Sequence, residues 1–334
     1  MENNQQSLFD FDPLNSAENA GPNNEFEFRS AGWLLGLMEC TGIGPNKAIA
    51  IAKTFRNLDE ISAANPDSVS KLLKGAKLDI SAMREADATP PEGVNLITFF
   101  DDNYPNGLRD LSNPPPVLWY KGVFPSSPST AVVGTRNPSQ SGRNFAHQAG
   151  EIASELGIAI VSGLALGIDS AAHQGSLTNN GVNIAVLACD VRYPTPKSNV
   201  KLAESILENG GCLVAEVPPG TETESRNLVA RNRIQAAWAR NLIMAECGIP
   251  SGTLHTVRFA LEIERPVGVY VSEYQTAGGD SWSGNLALAS NLGCDPLILG
   301  GSKTFQERVQ LRKPCADVLI SSKERLTEFI ESAS

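Results

Sequence analysis

The sequence predicts an α/β protein in which a small all-helical domain precedes a doubly wound, mostly parallel sheet. Short apolar runs without polar–apolar alternation recur from residue 129 onward, which is typical of strands buried on both faces. Helical patterns separate these runs, as expected for right-handed β-α-β crossovers. Between residues 29 and 88 the apolar residues instead recur at helical spacing.

The first 88 residues predict a leader followed by helices. Residues 1–28 carry six carboxylates and no lysine or arginine, so we expect a disordered acidic leader. The helical region, 29–88, is interrupted at Gly42-Ile43-Gly44, which predicts a helix-hairpin-helix or SAM-like arrangement. The turn amides and Lys47 are candidates for contact with a DNA phosphate. A plain turn that contacts protein is the alternative.

The remaining elements follow in order along the chain. Residues 89–128 predict a proline-rich connector with short strands, because Pro114-Pro115-Pro116 fits neither a helix nor a central strand. The sheet domain is predicted over 129–300, followed by a C-terminal extension, 301–334, with one helix. The predicted strands are 130–134, 158–162, 183–188, 212–217, 241–246 and 266–271, and the predicted helices are 142–156, 169–178, 199–208, 227–238, 252–264 and 323–332.

Composition excludes several classes of protein. No apolar run reaches the roughly 18–20 residues that cross a bilayer, and the N-terminus has no secretory signal, so we expect a cytoplasmic protein without a membrane anchor. The six cysteines form no CxxC pair and there are three histidines, so neither a metal site nor a disulfide framework is expected. The net charge is −10, but the leader accounts for six of these charges, which leaves room for a local basic groove.

Glycine-rich and basic residues follow the predicted strands at their carboxyl ends, where open parallel sheets bind ligands. Gly134-Thr135-Arg136 follows the first strand, and a guanidinium there suits a phosphate, although a surface ion pair fits equally well. The loop Ser162–Gly167 follows the second strand and leads into a helix, so its amides can approach an anion. Later strands are followed by further candidates: Lys197, Arg231, Asn232, Arg233, Ser251, Gly252 and Thr253. Together they predict an anion-binding groove.

Two residues after the second strand are candidates for support of the loop. Asp169 fits an N-cap as well as a site residue, and His173 is expected to be an interior histidine that holds the loop. A triad of these two with Ser162 can be drawn, but the chain contains no GxSxG elbow, HExxH or P-loop motif. We therefore expect no catalytic residue, no metal and no cofactor.

These segments together resemble the DNA-processing protein A family, DprA, also called Smf. The resemblance rests on AVVGTRNPSQSG at 131–142, IVSGLALGIDSAAHQGSL at 160–177, ARNRIQA at 230–236 and AECGIPSGTLHTVRFALE at 245–262. It implies a Rossmann-like domain that binds single-stranded DNA in a strand-end pocket. It also implies a homodimer that protects incoming DNA and loads the recombinase RecA during natural transformation.

The resemblance further implies roles for individual residues. Arg136 and the loop Ser162–Gly167 would hold phosphates, and Lys197, Arg231 and Arg233 would line the groove, with Asn232 bonding within it. Two features depart from the family pattern. No winged-helix domain is expected after residue 300, and the PG dipeptide expected after the last main strand is replaced by VGVYVSEYQTAGG at 267–279.

Two other interpretations remain open at the level of sequence. The first is a Rossmann-like enzyme or sensor of nucleotide derivatives, resembling phosphoribohydrolases, whose PGGxGT loop is partly matched by Ile249–Thr253. Release of free base from nucleotides would distinguish it. The second is an interaction scaffold in which the helical hairpin contacts protein.

Overall fold

The computed structural model describes residues 27–78, 86–271, 279–290 and 295–333. The predicted acidic leader therefore lies almost entirely outside the described residues. The chain divides into two compact units. The first contains residues up to 90 together with 96–104 and 112–118, and the second contains 91–95, 105–111 and 119–334.

The first unit is mainly helical. Side-chain oxygens of Ser30, Asn57 and Asn65 accept hydrogen bonds from backbone N–H groups in the first turns of three of its helices. Two helices begin with proline, whose missing N–H costs nothing at that position. The helices are α1 (Ala31–Glu39), α2 (Pro45–Thr54), α3 (Leu58–Ala63) and α4 (Pro66–Leu73), and the strand β1 (Asn95–Thr98) lies mostly in this unit.

The second unit is built on a mostly parallel sheet whose strands follow the order β2-β6-β5-β4-β3-β7-β8-β9. The strand β2 pairs antiparallel with β6, and the other neighbouring pairs in this order are parallel. These strands are β2 (Val117–Gly122), β3 (Ser129–Val133), β4 (Ala159–Ser162), β5 (Asn183–Leu187), β6 (Cys212–Ala215), β7 (Asn241–Met244), β8 (Val267–Tyr270) and β9 (Val318–Ile320).

The direction of winding reverses at β3, which lies between β4 and β7. The chain first adds strands on one side of β3, up to β6, and then returns to add β7 and β8 on the other side. The predicted Rossmann-like α/β class with a doubly wound, mostly parallel sheet is confirmed. The reversal between β3 and β7 is the topological switch point, where such sheets place their ligands.

Helices connect the strands of the second unit. No helix among the described residues is long and apolar enough to cross a membrane. Two glycines bring the helices Gln140–Glu155 and Ile168–Thr178 into backbone contact, because a Cβ at Gly150 or Gly175 would lie about 2 Å from a carbonyl oxygen of the other helix. The helices are α5 (Asn106–Arg109), α6 (Gln140–Glu155), α7 (Ile168–Thr178), α8 (Val200–Glu208), α9 (Ser225–Trp238), α10 (Thr253–Glu262), α11 (Ser283–Ala289), α12 (Pro296–Leu299), α13 (Lys303–Gln310) and α14 (Lys323–Glu331).

The segment 301–334, predicted as an extension after the sheet domain, contributes to the sheet itself. The strand β9 pairs in parallel with β8, with Val318 opposite Gly268. Leu326 and Phe329 of α14 belong to the apolar cluster that contains Val132 of β3. The described part of this segment is therefore integral to the second unit. Two of its elements were not predicted from the sequence. The helix α13 carries few apolar residues, and the strand β9 has only three residues.

Candidate functional site

A cavity of about 360 Å³ opens at the switch point of the sheet, entirely within the second unit. Its walls come from the loop after β3, the residues around the start of α7, one face of α9 and the start of α10. Two of these walls, the loop after β3 and the residues 250–253 after β7, flank the position where winding reverses. The polar residues of the lining are Thr135, Arg136, Asp169, Arg231, Asn232, Gln235, Ser251, Thr253 and Thr256.

Arg231 places a buried positive charge in the wall of this cavity. Its side chain is 7% exposed, one guanidinium nitrogen donates to the carbonyl of Val186, and its Nε has no partner among the described residues. Burial lowers the pKa of Arg231, the carboxylate of Asp169 opposes this shift, and Arg136 adds to it. A buried charge without an ion pair is costly, so this arrangement favours an anion in the cavity.

Gly163 provides the space that the Arg231 guanidinium occupies. A Cβ at this position would lie 1.8 Å from a guanidinium nitrogen, closer than any real contact. Gly163 therefore makes room for the Arg231 side chain. The sequence instead suggested that this glycine lets the backbone approach a phosphate.

The carboxylate of Asp169 holds the loop that follows β4. It accepts hydrogen bonds from the backbone N–H of Gly163 at 3.0 Å and of Ala165 at 3.3 Å. These amides are therefore occupied and do not provide donors for a phosphate. The hydroxyl of Ser162 is likewise buried and donates to the carbonyl of Val132 at 2.7 Å. Ser162 and Gly163 thus support the loop beside the cavity, and their contact with a ligand stays a prediction.

Gly167 positions the same loop against the loop after β3. Its φ of +81° lies in the region that favours glycine. A Cβ there would lie 2.5 Å from the carbonyl oxygens of both Thr135 and Arg136. The N–H of Ile168 donates to the carbonyl of Thr135 at 3.2 Å, which joins the two loops. Gly167 is not part of the cavity lining, and its lack of a side chain lets the two loops meet beside Arg136; its contact with a phosphate stays a prediction.

His173 is an interior residue in this structure. Its Nδ1 lies 2.8 Å from the side-chain oxygen of Asn183, and its Nε2 has no partner among the described residues. Burial lowers the pKa of His173, although the bond to Asn183 and the carboxylate of Asp169 act in the opposite direction. The Ser162 hydroxyl bonds to Val132, so Ser162, Asp169 and His173 are not arranged as a catalytic triad.

The other predicted cations have different surroundings. Arg136 is exposed and lines the cavity. Arg233 does not line it, because its guanidinium pairs with the carboxylate of Glu216 at 2.8 and 2.5 Å. Lys197 is exposed and also lies outside the cavity lining. Arg233 and Lys197 therefore lie outside the lining of this cavity, and their contact with DNA along a wider groove stays a prediction.

The start of α10 brings together the small residues predicted after the fifth strand of the domain. Ser251, Gly252 and Thr253 all line the cavity. The hydroxyl of Ser251 accepts from the N–H of Thr253 at 3.2 Å, and the side-chain amide of Asn232 donates to the carbonyl of Gly252 at 3.2 Å. Asn232 thus joins α9 to the loop before α10, on the edge of the cavity.

Glu246 is a buried carboxylate that sequence analysis did not assign. It accepts hydrogen bonds from the backbone N–H of Ser139 at 2.9 Å and from its hydroxyl at 2.7 Å. A Cβ at Gly142 would lie 2.1 Å from a Glu246 oxygen, so glycine is needed for this approach. Glu246 therefore fixes the start of α6 to the end of β7, beside the cavity.

Gln235 and Thr256 also line the cavity, and neither was predicted from the sequence as a site residue. Helical spacing is the signal that identifies Gln235, because it lies four residues after Arg231 and so on the same face of α9. Thr256 lies three residues after Thr253 and so on the same face of α10.

The predicted hairpin lies in the first unit. Gly42 has a φ of +81°, and Gly44 is the residue immediately before α2. The ammonium of Lys47 donates to the carbonyl of Gly42 at 2.9 Å and so closes the turn. Phosphate contact by these three residues stays a prediction.

Comparison with known proteins decides the family. The sequence profile of DNA recombination-mediator protein A matches residues 95–312, well over half of the chain. The chain belongs to the DNA recombination-mediator protein A family. The resemblance to DprA and Smf is thereby confirmed, and the cavity lies within the part of the chain that matches the family.

Curated members of this family share about a third of the aligned residues. The chain is 31% identical to Protein Smf of Synechocystis sp. over 242 residues, which cover 68% of this chain and 61% of that protein. It is 37% identical to DNA processing protein DprA of Streptococcus pneumoniae over 172 residues, 51% of this chain and 60% of that protein. The chain thus spans about three-fifths of the length of these relatives.

Solved structures of the family share the fold. DNA processing protein A from Streptococcus pneumoniae aligns with a TM-score of 0.63 at 26% identity, covering 90% of this chain and 98% of that chain. DNA processing protein A from Helicobacter pylori, described for its single-stranded DNA binding mode, aligns with a TM-score of 0.52 at 23% identity and covers 65% of this chain and 94% of that chain. The second likeness shows a common fold.

Proposed function

We propose that this chain binds single-stranded DNA through the cavity between the ends of β3 and β7. The observation that carries this proposal is the buried Arg231 guanidinium, which has no ion-pair partner among the described residues and faces a cavity whose rim carries Arg136. A phosphate in the cavity would supply the missing negative charge. Arginine suits this role because its planar guanidinium bonds two phosphate oxygens at once.

Family membership supports the biological side of the proposal. We propose that the chain acts as a homodimer that protects incoming DNA. It then delivers this DNA to the recombinase RecA during natural transformation or a related recombination process. The profile that matches the chain describes a recombination mediator, and the Helicobacter pylori protein of the same fold has a single-stranded DNA binding mode. The function is one of binding, with no chemical step.

Binding of labelled single- and double-stranded DNA, measured by fluorescence anisotropy, tests the proposal. The folded protein should prefer the single strand, and its affinity should fall steeply between about 50 and 200 mM salt as counterions are released. Arg136→Ala should weaken binding about tenfold and reduce the salt dependence by about one counterion. Lys303→Ala removes an exposed charge outside the cavity and should leave the affinity unchanged.

Two results would contradict the proposal. The first is absence of affinity for single strands at low salt in folded wild-type protein. The second is equal loss of affinity in Arg136→Ala and Lys303→Ala, which would show that charge anywhere on the surface contributes and that the cavity has no special role.

A further inference from the structure

We propose that the first unit carries a second DNA-binding surface, which holds the phosphate backbone of double-stranded DNA. This surface is the lysine patch, and its members are Lys47, Lys71, Lys74 and Lys77. It lies entirely within the first unit, whereas the cavity proposed for the single strand lies within the second. The inference goes beyond the proposed function and does not depend on it.

The turn between α1 and α2 brings two of these lysines to one place. Lys47 donates its ammonium to the carbonyl of Gly42 in that turn, at 2.9 Å. The N–H of Lys77 donates to the carbonyl of Thr41 in the same turn, at 3.4 Å. A Cβ at Gly42 would lie 3.4 Å from the Cβ of Ala76, so the chain before Lys77 also packs against the turn.

The other two lysines lie where α4 ends. Lys71 is in the last turn of the helix, and Lys74 is the residue that follows it. Gly75 then has a φ of +80°, which turns the chain towards Lys77. The side chains of Lys71, Lys74 and Lys77 are all exposed, and Lys47 is half-buried.

The lysine patch is a concentration of positive charge in an acidic chain. The net charge of the chain is −10, yet none of the four ammonium groups forms an ion pair with a carboxylate of the described residues. Like charges that lie close together repel one another, and a polyanion relieves this repulsion. The patch therefore favours a partner that carries several negative charges.

Helix stability explains only part of the lysine patch. The negative end of the helix dipole favours a cation at the end of α4, which accounts for Lys71 and Lys74. Lys47 instead lies in the first turn of α2, where the dipole is positive and where the helix has no acidic residue. A cation in that position opposes the dipole. An anion bound at the patch accounts for both positions.

The surface between the lysines suits a phosphate backbone. A Cβ at Gly44 would meet no atom within 4 Å, so a polymer can approach the main chain there. Ile43 and Ala76 are buried, and residues 41–47 and 71–77 contain no aromatic side chain that could stack on an unpaired base. Point charges without a stacking platform favour the polymer with the denser charge. A duplex carries one negative charge for about every 1.7 Å of its axis.

Fluorescence anisotropy of the full chain with a short labelled duplex and a short labelled single strand tests this inference. The triple variant Lys71→Gln, Lys74→Gln and Lys77→Gln should weaken duplex binding about tenfold or more at low salt. It should also reduce the salt dependence of duplex binding by about three counterions. Its affinity for the single strand should stay as in wild type. Arg136→Ala should show the converse pattern.

A matched triple variant on the second unit is the control. Lys303→Gln, Lys313→Gln and Lys323→Gln remove three exposed lysines that do not line the cavity, and they should leave duplex affinity unchanged. Equal urea midpoints of the two triple variants and wild type show that both variants are folded.

Four results would overturn the inference. They are absence of duplex affinity in wild-type protein at low salt, unchanged duplex affinity in the patch variant, and equal loss in the two triple variants. The fourth is displacement of the duplex by a poly-glutamate peptide as effectively as by unlabelled duplex, which would assign the lysine patch to an acidic protein. Absence of single-strand binding in a protein that still binds duplex through the patch would remove the proposed function alone.

Discussion

Two arginines at neighbouring places in the sequence have opposite surroundings in the structure. Arg231 and Arg233 lie on the same helix, but two residues of helix turn a side chain to another face. Arg233 meets Glu216 and forms a two-bonded ion pair, whereas Arg231 lies in the cavity wall without a carboxylate partner. The sequence identifies both as cations near a strand end. Only the position of Glu216, at the end of β6, shows which of them is neutralised.

Substitution of each arginine by methionine should separate stability from binding. Burial lowers the pKa of Arg231, so the folded state disfavours its charge. Arg231→Met should therefore reduce single-strand affinity more than tenfold, while its free energy of unfolding stays at or above that of wild type. Arg233→Met leaves Glu216 unpaired and should lower the free energy of unfolding by about 1–3 kcal/mol. Urea unfolding and anisotropy measure the two quantities.

The opposite pattern would contradict this assignment of roles. A strong loss of stability in Arg231→Met with little change in DNA affinity would make Arg231 a structural residue, and the site would then need another cation.

His173 predicts a dependence of stability on pH. Burial lowers its pKa below the ordinary value of 6.5, so the unfolded chain takes up a proton at a higher pH than the folded chain. The contribution of neutral His173 to the free energy of unfolding is therefore complete above pH 6.5. It is lost as pH falls from there towards the pKa of His173 in the folded state. The slope is up to about 1.4 kcal/mol per pH unit for each proton. His255, whose pKa is also lowered by burial, contributes in the same direction.

Urea unfolding of wild type above and below pH 6.5 checks this expectation. His173→Gln should reduce the slope. An unchanged slope in His173→Gln would show that other groups take up the protons.

At the residue level, the sequence shows which side chains follow a strand, but it does not show which backbone groups another side chain already occupies. Arg136 and Ser251–Thr253 line the cavity because the ends of parallel strands meet at one edge. Gly163 was predicted to offer its amide, but Asp169 already accepts from it, and no spacing rule shows which amides a nearby carboxylate will use. Gln235 was not predicted as a site residue, because only the folded structure shows that its side chain lines the cavity.

At the scale of elements, the site depends on the contact between two loops. The loop after β4 lies against the loop after β3 because Gly167 has no side chain. Both loops follow buried strands whose runs of apolar residues made them predictable. Their contact was not predictable, because it depends on the register of two parallel strands.

Gly167→Ala tests this contact, with Gly157→Ala as a matched control. Both glycines have positive φ, but a Cβ at Gly157 meets no atom within 4 Å, whereas one at Gly167 meets two carbonyl oxygens. Gly157→Ala should cost about 1 kcal/mol of stability and leave DNA affinity unchanged. Gly167→Ala should cost about 1–3 kcal/mol more and weaken binding, because Arg136 moves with its loop. Equal effects of both substitutions would contradict the role of this contact.

At the scale of the whole chain, the residues after 300 belong to the core of the second unit. Leu326 is fully buried in the apolar cluster that also contains Val132 and Phe145. Leu326→Ala should therefore lower the free energy of unfolding by about 2–5 kcal/mol. Leu311→Ala, at a position 82% exposed, should change it by less than about 0.5 kcal/mol. Similar values for both in urea unfolding would show that α14 contributes little to this unit.

The α/β class and the parallel winding were predictable from the whole sequence because buried strands and intervening helices alternate regularly. The place of the C-terminal segment was not predictable, since three residues of strand carry too little pattern to indicate pairing.

A crystal structure of the protein with a short single strand of DNA would show directly whether the strand binds in this cavity. We expect a phosphate bonded to the guanidinium groups of Arg136 and Arg231, in the cavity between β3 and β7. A strand bound on another face of the second unit, or on the first unit alone, with the Arg231 guanidinium left without an anion, would contradict it.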